Sequence, residues 1–154
     1  MYGISKITSQ QNIMLITFPG AEYSAANLAE HLNVFAREGV VLDMICQSIP
    51  HGASVDYSFT ANYSDFATVM KSLPALTGGR VQSAPLISGG YSKLNLFGEE
   101  MVNSVGVAAR AMSALSEAGV DISLITTSDL DISLLIHEND EDTALEALHK
   151  AFNL

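Results

Sequence analysis

Cysteine is almost missing from this chain: Cys46 stands alone among 154 residues, which excludes a disulfide framework and a thiolate metal site. Basic residues are scarce too, seven Lys and Arg against seventeen Asp and Glu, for a formal net charge of −10. With no basic cluster, nucleic acid is excluded as a partner, because its phosphates would be repelled. No apolar run approaches the roughly 20 residues a membrane helix needs, and Met1–Lys6 lacks the apolar core of a signal peptide. The expectation is a cytoplasmic protein with no membrane partner. His31, His51, His137 and His149 show no metal-ligand spacing and read as surface or boundary residues. The acidic run 138–142 lacks the ligand order of a calcium loop and reads as a solvated helix start. Gly78-Gly79 and Gly89-Gly90 lack the context of a phosphate loop, so neither a metal nor a cofactor is expected.

Apolar residues are abundant: they make up 48% of the chain, with a mean hydropathy of +0.26. That much apolar surface has to be covered, within the chain or against another copy. Cys46, inside the run Met44-Ile45-Cys46, reads as a buried, inert thiol. The chain also repeats itself. Met14 matches Leu94, Ile16 matches Leu96, Gly39 matches Gly119, Val40 matches Val120 and Ser48 matches Ser128, at a constant offset of 80. The offset then drops to 75, where Tyr57 matches Ile132, Phe59 matches Leu134 and Asp65 matches Asp140. A duplicated unit of about 75 residues builds a symmetric binding surface more readily than an active site.

Each copy reads as strand, helix, strand, strand, helix, strand. In the first, Gly3–Thr8 alternates as a strand, Ser9–Asn12 is a polar turn, and Ile13–Phe18 is an apolar strand. Ser24 is the expected N-cap of a helix running to about Glu38, with Leu28, Leu32, Phe35 and Ala36 as its apolar stripe and Gly39 as its stop. Strands are expected at Val40–Ser48 and Ser54–Ala61, the latter with Val55, Tyr57 and Phe59 on one face. Ser64 then caps a helix that stops at Pro74. The second pass gives strands at Val81–Pro85 and Tyr91–Phe97, a helix from Ser104 to Gly119, strands at Val120–Thr127 and Asp131–Ile136, and a last helix from Asn139. This totals eight strands and four helices. After the last helix only Phe152-Asn153-Leu154 remain, too few for a closing strand, and the spare strand sits at the N-terminus. The expectation is therefore an interleaved pair, with Ile4–Thr8 in the second module's sheet and Val81–Pro85 returning to the first.

The segment Gly98-Glu99-Glu100-Met101-Val102-Asn103-Ser104-Val105-Gly106-Val107-Ala108-Ala109, continued by Ala118-Gly119-Val120-Asp121-Ile122, resembles the second ACT module of aspartokinases. Leu124-Ile125-Thr126-Thr127-Ser128-Asp129 and the ending 144–152 strengthen the likeness. Val41-Leu42-Asp43-Met44-Ile45-Cys46-Gln47-Ser48 resembles the first ACT module of the same family. The resemblance covers essentially the whole chain. It implies an α+β fold of two ferredoxin-like βαββαβ modules, residues 9–85 and residues 1–8 plus 86–154, with sheets joined across a homodimer. The family's catalytic motif of the Lys-Phe-Gly-Gly-Thr-Ser type has no counterpart here. The chain thus resembles the regulatory portion of an aspartate kinase, with no phosphotransfer of its own and a catalytic domain or subunit as its partner.

The resemblance implies lysine or threonine, or both, as effector. A helix start offers free N–H groups and partial positive charge to the effector's carboxylate. In the second module that loop is Asn103, Ser104, Val105, Gly106 and Val107, and in the first it holds Glu22, Ala25 and Ala26. The family's Asp-Lys-Pro-Gly pattern is absent from the first loop, and Glu22 stands in for its acid. The following strands imply the other wall, Val41, Leu42, Asp43 and Gln47 in the first module and Asp121, Ile122, Thr127 and Ser128 in the second. Read without the family, Asp43 and Asp121 are solvated strand starts, Gln47 is an edge-strand polar residue, and Gly106 serves helix packing. The alternative function is a stand-alone module that only dimerises, its ligand sites decayed.

Overall fold

Alternation along the strands and 3.6-residue spacing along the helices produce an α+β chain, here in a computed structural model describing residues 2–78 and 84–154. Among these residues there are six strands: β1 (Lys6–Glu22), β2 (Ile45–Gln47), β3 (Ser54–Asn62), β4 (Leu86–Phe97), β5 (Leu124–Thr127) and β6 (Asp131–His137). The helices are α1 (Ala25–Arg37), α2 (Phe66–Lys71), α3 (Leu73–Thr77), α4 (Val107–Glu117) and α5 (Glu141–Phe152).

The chain forms two units, Met1–Gln11 with Gly90–Leu154, and Asn12–Gly89. Within the first the strand order is β5-β6-β4-β1, and within the second it is β2-β3-β1-β4. Each is the antiparallel order of a ferredoxin-like βαββαβ unit whose fourth strand is donated from the other end of the sequence. The fold is interleaved. Ile4, fully buried, belongs to a core otherwise built from Leu94, Leu96, Ala111, Leu115, Ile132, Leu134, Leu148 and Phe152. The other core gathers Met14, Ile16, Phe18, Val34, Phe35, Val55, Tyr57, Phe59, Val69 and Leu76.

One pair of expected strands, Gly3–Thr8 and Ile13–Phe18, is a single strand, and the turn expected at Ser88–Gly90 is also strand. Ser9–Asn12 does not turn; it continues β1, with Asn12 taking a left-handed φ of 61°. Gly90, at φ 83°, does the same inside β4. Both left-handed residues fall where the chain passes from one unit to the other, so polar, flexible residues mark the passage rather than a reversal. The expected strand at Val81–Pro85 lies outside the described residues at 81–83, and Ala84 and Pro85 precede β4.

Register refines the duplication. Ile16 pairs with Phe59 and Leu94 with Leu134, so the first strands correspond at an offset of 78 rather than 80. Because side chains alternate with period 2, a slip of two keeps every residue on its own face. From the helix stops onward the offset of 80 holds: Gly39 and Gly119 both have φ 73°.

Other boundaries move for local reasons. Ser24 caps α1 as expected, its hydroxyl accepting from the Asn27 N–H at 3.0 Å. Ser104 does not cap α4: its hydroxyl donates to the Glu100 carbonyl at 2.7 Å, closing a 3-10 turn at Glu99–Asn103, and Gly106 occupies the N-cap. Ser64 likewise yields to Asn62, whose side chain accepts from the Ser64 N–H. Pro74 does not end a helix but sits in the first turn of α3, where its missing N–H costs nothing. β2 is shorter than expected because the Thr60 hydroxyl takes the Met44 N–H that a ladder would use. Cys46 is half-buried rather than buried, as an edge strand leaves one face partly open. His31 is buried, not a surface residue, and Ala36 is exposed.

Candidate functional site

In the Asn12–Gly89 unit, β1 ends in a bulge between Phe18 and Ala21, with Gly20 at φ 62° and its N–H on the Asp56 carboxylate at 2.7 Å. Tyr23 N–H donates to the Ala53 carbonyl, which fixes the approach to α1. Glu22, Ala25 and Ala26 are all exposed at the start of that helix, and its first turn carries no acidic side chain. The free N–H groups there have no internal anion, so they present partial positive charge to solvent. Gln47 and Phe18 both pair with Tyr57 on opposite sides of β3. Gln47 therefore stands at the same end of the sheet as α1's start, two strands or about 10 Å away at ordinary strand spacing. Asp43, level with Thr60, lies further down the sheet, with exposed Val41 and half-buried Leu42 before it.

The other unit repeats the arrangement. Asn103, Val105 and Gly106 are exposed and Ser104 half-buried ahead of α4, whose first turn is also free of acid. Gly106 has φ +84° and nothing within 4 Å of where a Cβ would sit, so it serves the backbone conformation and leaves open space, not close packing. Val107 differs from its neighbours: it is buried in the core. Thr127 and Ser128 reach the same sheet end, since Thr127 is level with Leu96. The Ser128 hydroxyl closes the β5–β6 turn, donating to Asp131 at 2.6 Å and accepting from the Leu130 and Asp131 N–H groups. Ser128 and Asn95 hold the Asp131 carboxyl below its ordinary range, helped by the charge of Lys93 and opposed by burial. Asp121 and Ile122 precede β5, at the opposite end of that strand from Ser128.

By contrast α5 has acid in its first turn, and Glu141 there is buried. Burial alone would raise its pKa, but donors on Ser92, Ser9 and Gln11 outweigh that and hold it below the ordinary value.

A group that sequence reasoning missed lies behind α1. His31 Nε2 meets the Leu76 carbonyl at 2.7 Å, and its Nδ1 meets the Tyr57 hydroxyl. The Asn27 amide donates to that hydroxyl at 3.1 Å and to the Glu22 carbonyl at 3.3 Å. The imidazole stacks on Phe18, ring centroids 4.5 Å apart. Burial pushes the Tyr57 phenol up to about 12, against the lowering effect of Asn27, so it stays protonated. A cleft of about 150 Å³ opens alongside, lined by Glu22, Asn27, Glu30, His31, Leu76 and Gly78 among others. The signal for this group was present in the helical spacing of Asn27, His31 and Val34, which places His31 on the apolar face.

A model of the ACT domain matches residues 94–152. An aspartokinase of Geobacillus stearothermophilus is 28% identical over 148 residues, covering 96% of this chain and 35% of that protein. The chain spans about a third of the length of the curated relatives it matches. The crystal structure of aspartokinase alpha and beta subunits contains a chain 30% identical to this one, with a TM-score of 0.84, covering 98% of this chain and 99% of that one. The ligand-free regulatory subunit of aspartate kinase from Thermus thermophilus has a TM-score of 0.88 at 22% identity, covering 97% and 99% of the two chains, a likeness of fold.

Proposed function

The chain belongs to the family of aspartokinase regulatory regions built from ACT domains, and from that premise we propose that it is an allosteric sensor of lysine, threonine or both. The two units are its ACT modules. The effector's carboxylate sits on the free N–H groups at the start of α1 or α4, and Glu22 answers its ammonium in the first module. Gln47, which can donate and accept, and Thr127 with Ser128 come from the strands that end on the same side. Because Gln47 lies about 10 Å from β1 within its own sheet, a second copy completes the wall. Apolar side chains exposed on the β2 edge, Val41, Ile45 and Ile49, support a homodimer made there. Effector binding biases one arrangement of that dimer, with a coupling of about 1–3 kcal/mol to the kinase. Phosphoryl transfer from ATP to aspartate belongs to a catalytic domain or subunit in the same cytoplasmic assembly.

The observation that carries this reading is the pair of acid-free, exposed helix starts, each at the sheet end where an edge strand presents amide or hydroxyl groups. Calorimetric titration with lysine and threonine tests it, together with a thermal-shift screen of the twenty amino acids. A ligand at 100 times its dissociation constant adds about 2.7 kcal/mol of stability. Silence from all twenty would refute sensing. It would favour the second reading, a dimerisation module with decayed sites, which draws on the first loop's loss of the family's Pro and Gly.

A further inference from the structure

The two units are copies of one fold, so each supplies the control for the other. At the offset of 80, Asn27 and His31 correspond to Val107 and Ala111, and at 75 Tyr57 corresponds to Ile132. All three of those counterparts are buried apolar residues of one core. The fold therefore closes over this position with hydrocarbon alone. In the Asn12–Gly89 unit the same position holds a buried imidazole and phenol, and burying polar groups is costly unless every one is paired. They are paired, in a single direction. The Leu76 carbonyl only accepts, so His31 Nε2 carries the proton, and in the tautomer with a bare Nδ1 that atom accepts from the Tyr57 hydroxyl. That hydroxyl in turn accepts from Asn27, whose amide also holds the Glu22 carbonyl at the end of β1. The chain of bonds begins in the loop before α1 and ends at the C-terminal turn of α3.

We propose that Asn27, Tyr57 and His31 are positioning residues for the effector site at the start of α1: they hold the Glu22 carbonyl and the first turn in register and tie that loop to Leu76 in α3. The proposal rests on the sensor reading. It also supplies what the first loop lacks, since this loop has no Pro or Gly of the family pattern to set its conformation. The relay fixes it from behind.

The experiment compares Tyr57→Phe and His31→Gln with the unaltered chain. Phenylalanine keeps the ring, its stack and its burial while removing the hydroxyl. Glutamine can donate to Leu76 from its amide and accept from Tyr57 at its carbonyl. Each variant is checked for folding by circular dichroism and urea unfolding, then titrated with lysine and threonine. The expected result is a folded Tyr57→Phe whose effector dissociation constant rises about tenfold, with His31→Gln recovering most of the affinity. Nitrogen-15 spectra of the unaltered chain should show His31 protonated at Nε2. In Tyr57→Phe, amide hydrogen exchange should quicken both at residues 25–27 and at residues 76–78. A purely structural role would lower stability and leave the dissociation constant unchanged, which overturns the proposal, as does a ring protonated at Nδ1. If the unaltered chain binds no amino acid, the sensor reading fails by itself. The relay is then judged by the histidine spectrum and by paired exchange at its two ends, and exchange confined to one end overturns it.

Discussion

Replacing Glu141 by glutamine isolates one buried charge. The carboxylate is 6% exposed and accepts from the Ser92 hydroxyl at 2.5 Å and the Gln11 amide at 3.3 Å. Serine 92 is itself fully buried. Hydrogen bonds to a charged acceptor contribute about 1.5–3 kcal/mol, against about 0.5–1.5 for neutral ones. Glutamine preserves the volume and one acceptor for Ser92, but sets its NH2 against the Gln11 amide, donor against donor. The expected loss is about 1–2 kcal/mol at pH 7, or roughly 2–8 °C in Tm for a chain of this size. The pH dependence carries the sharper test. The folded pKa lies below the unfolded one, so this increment is fully present above the ordinary carboxyl value of 4.5 and disappears as pH falls through the lower folded value. Asp131 is depressed in the same direction, but it is common to both proteins and cancels in the comparison. Urea unfolding of both proteins between pH 7 and pH 3 should show two stability curves that converge on acidification. A variant as stable as the parent at pH 7, or a gap that persists undiminished at pH 3, refutes the reasoning.

Gly98→Ala should destabilise more than any nearby glycine substitution, because a Cβ there would lie 1.8 Å from the Gly3 carbonyl oxygen. A backbone shift is unavoidable, and overpacking of this kind costs about 1–3 kcal/mol or more, readable in urea midpoints. Ile45→Lys combined with Ile49→Lys places charge on the exposed β2 edge and should convert a dimer to monomers in light scattering without loss of helical signal. Separate fragments 1–78 and 90–154 should each lack a cooperative unfolding transition, since the first carries Ile4 and the β1 residues 6–11 away from the core they complete. Mixing fragment 1–78 with fragment 79–154, which keeps the whole of β4, should restore it.

Much of the fold was legible because duplication showed the alternation and the helical spacing twice. Gly39 and Gly119, Tyr57 and Ile132, Ser24 before α1, and the missing closing strand together implied the interleaving before any coordinates. What stayed hidden depended on partners distant in sequence. Ser9–Asn12 and Ser88–Gly90 have the composition of turns, yet each runs on as strand into the paired residues that start at Ile13 and Tyr91. Ser104 looks like a cap until the 3-10 turn before it claims the hydroxyl for Glu100. Glu141 looks like a surface group because the sequence shows its charge and not the donors folded around it. For the candidate site, the loops were readable from motif. The sheet end reached by Gln47 and Ser128, and the opposite end held by Asp121, follow only from register.

The two helix starts have come to hold their shape by different means. Ahead of α4 the backbone does it, through the 3-10 turn at Glu99–Asn103 and a left-handed Gly106 with open space above. Ahead of α1 side chains do it, through the Ser24 cap and the bonds from Asn27 to Leu76. The backbone device shares its hydrogen bonds with the β5–β6 turn, the Gly98 N–H donating to the Leu130 carbonyl at 2.9 Å. A side-chain relay shares them with α3, so any strain or relief at the loop changes the bonds at the far end. On the sensor reading the two loops are therefore tied to different parts of their units, the one before α1 to α3 and the one before α4 to the β5–β6 turn.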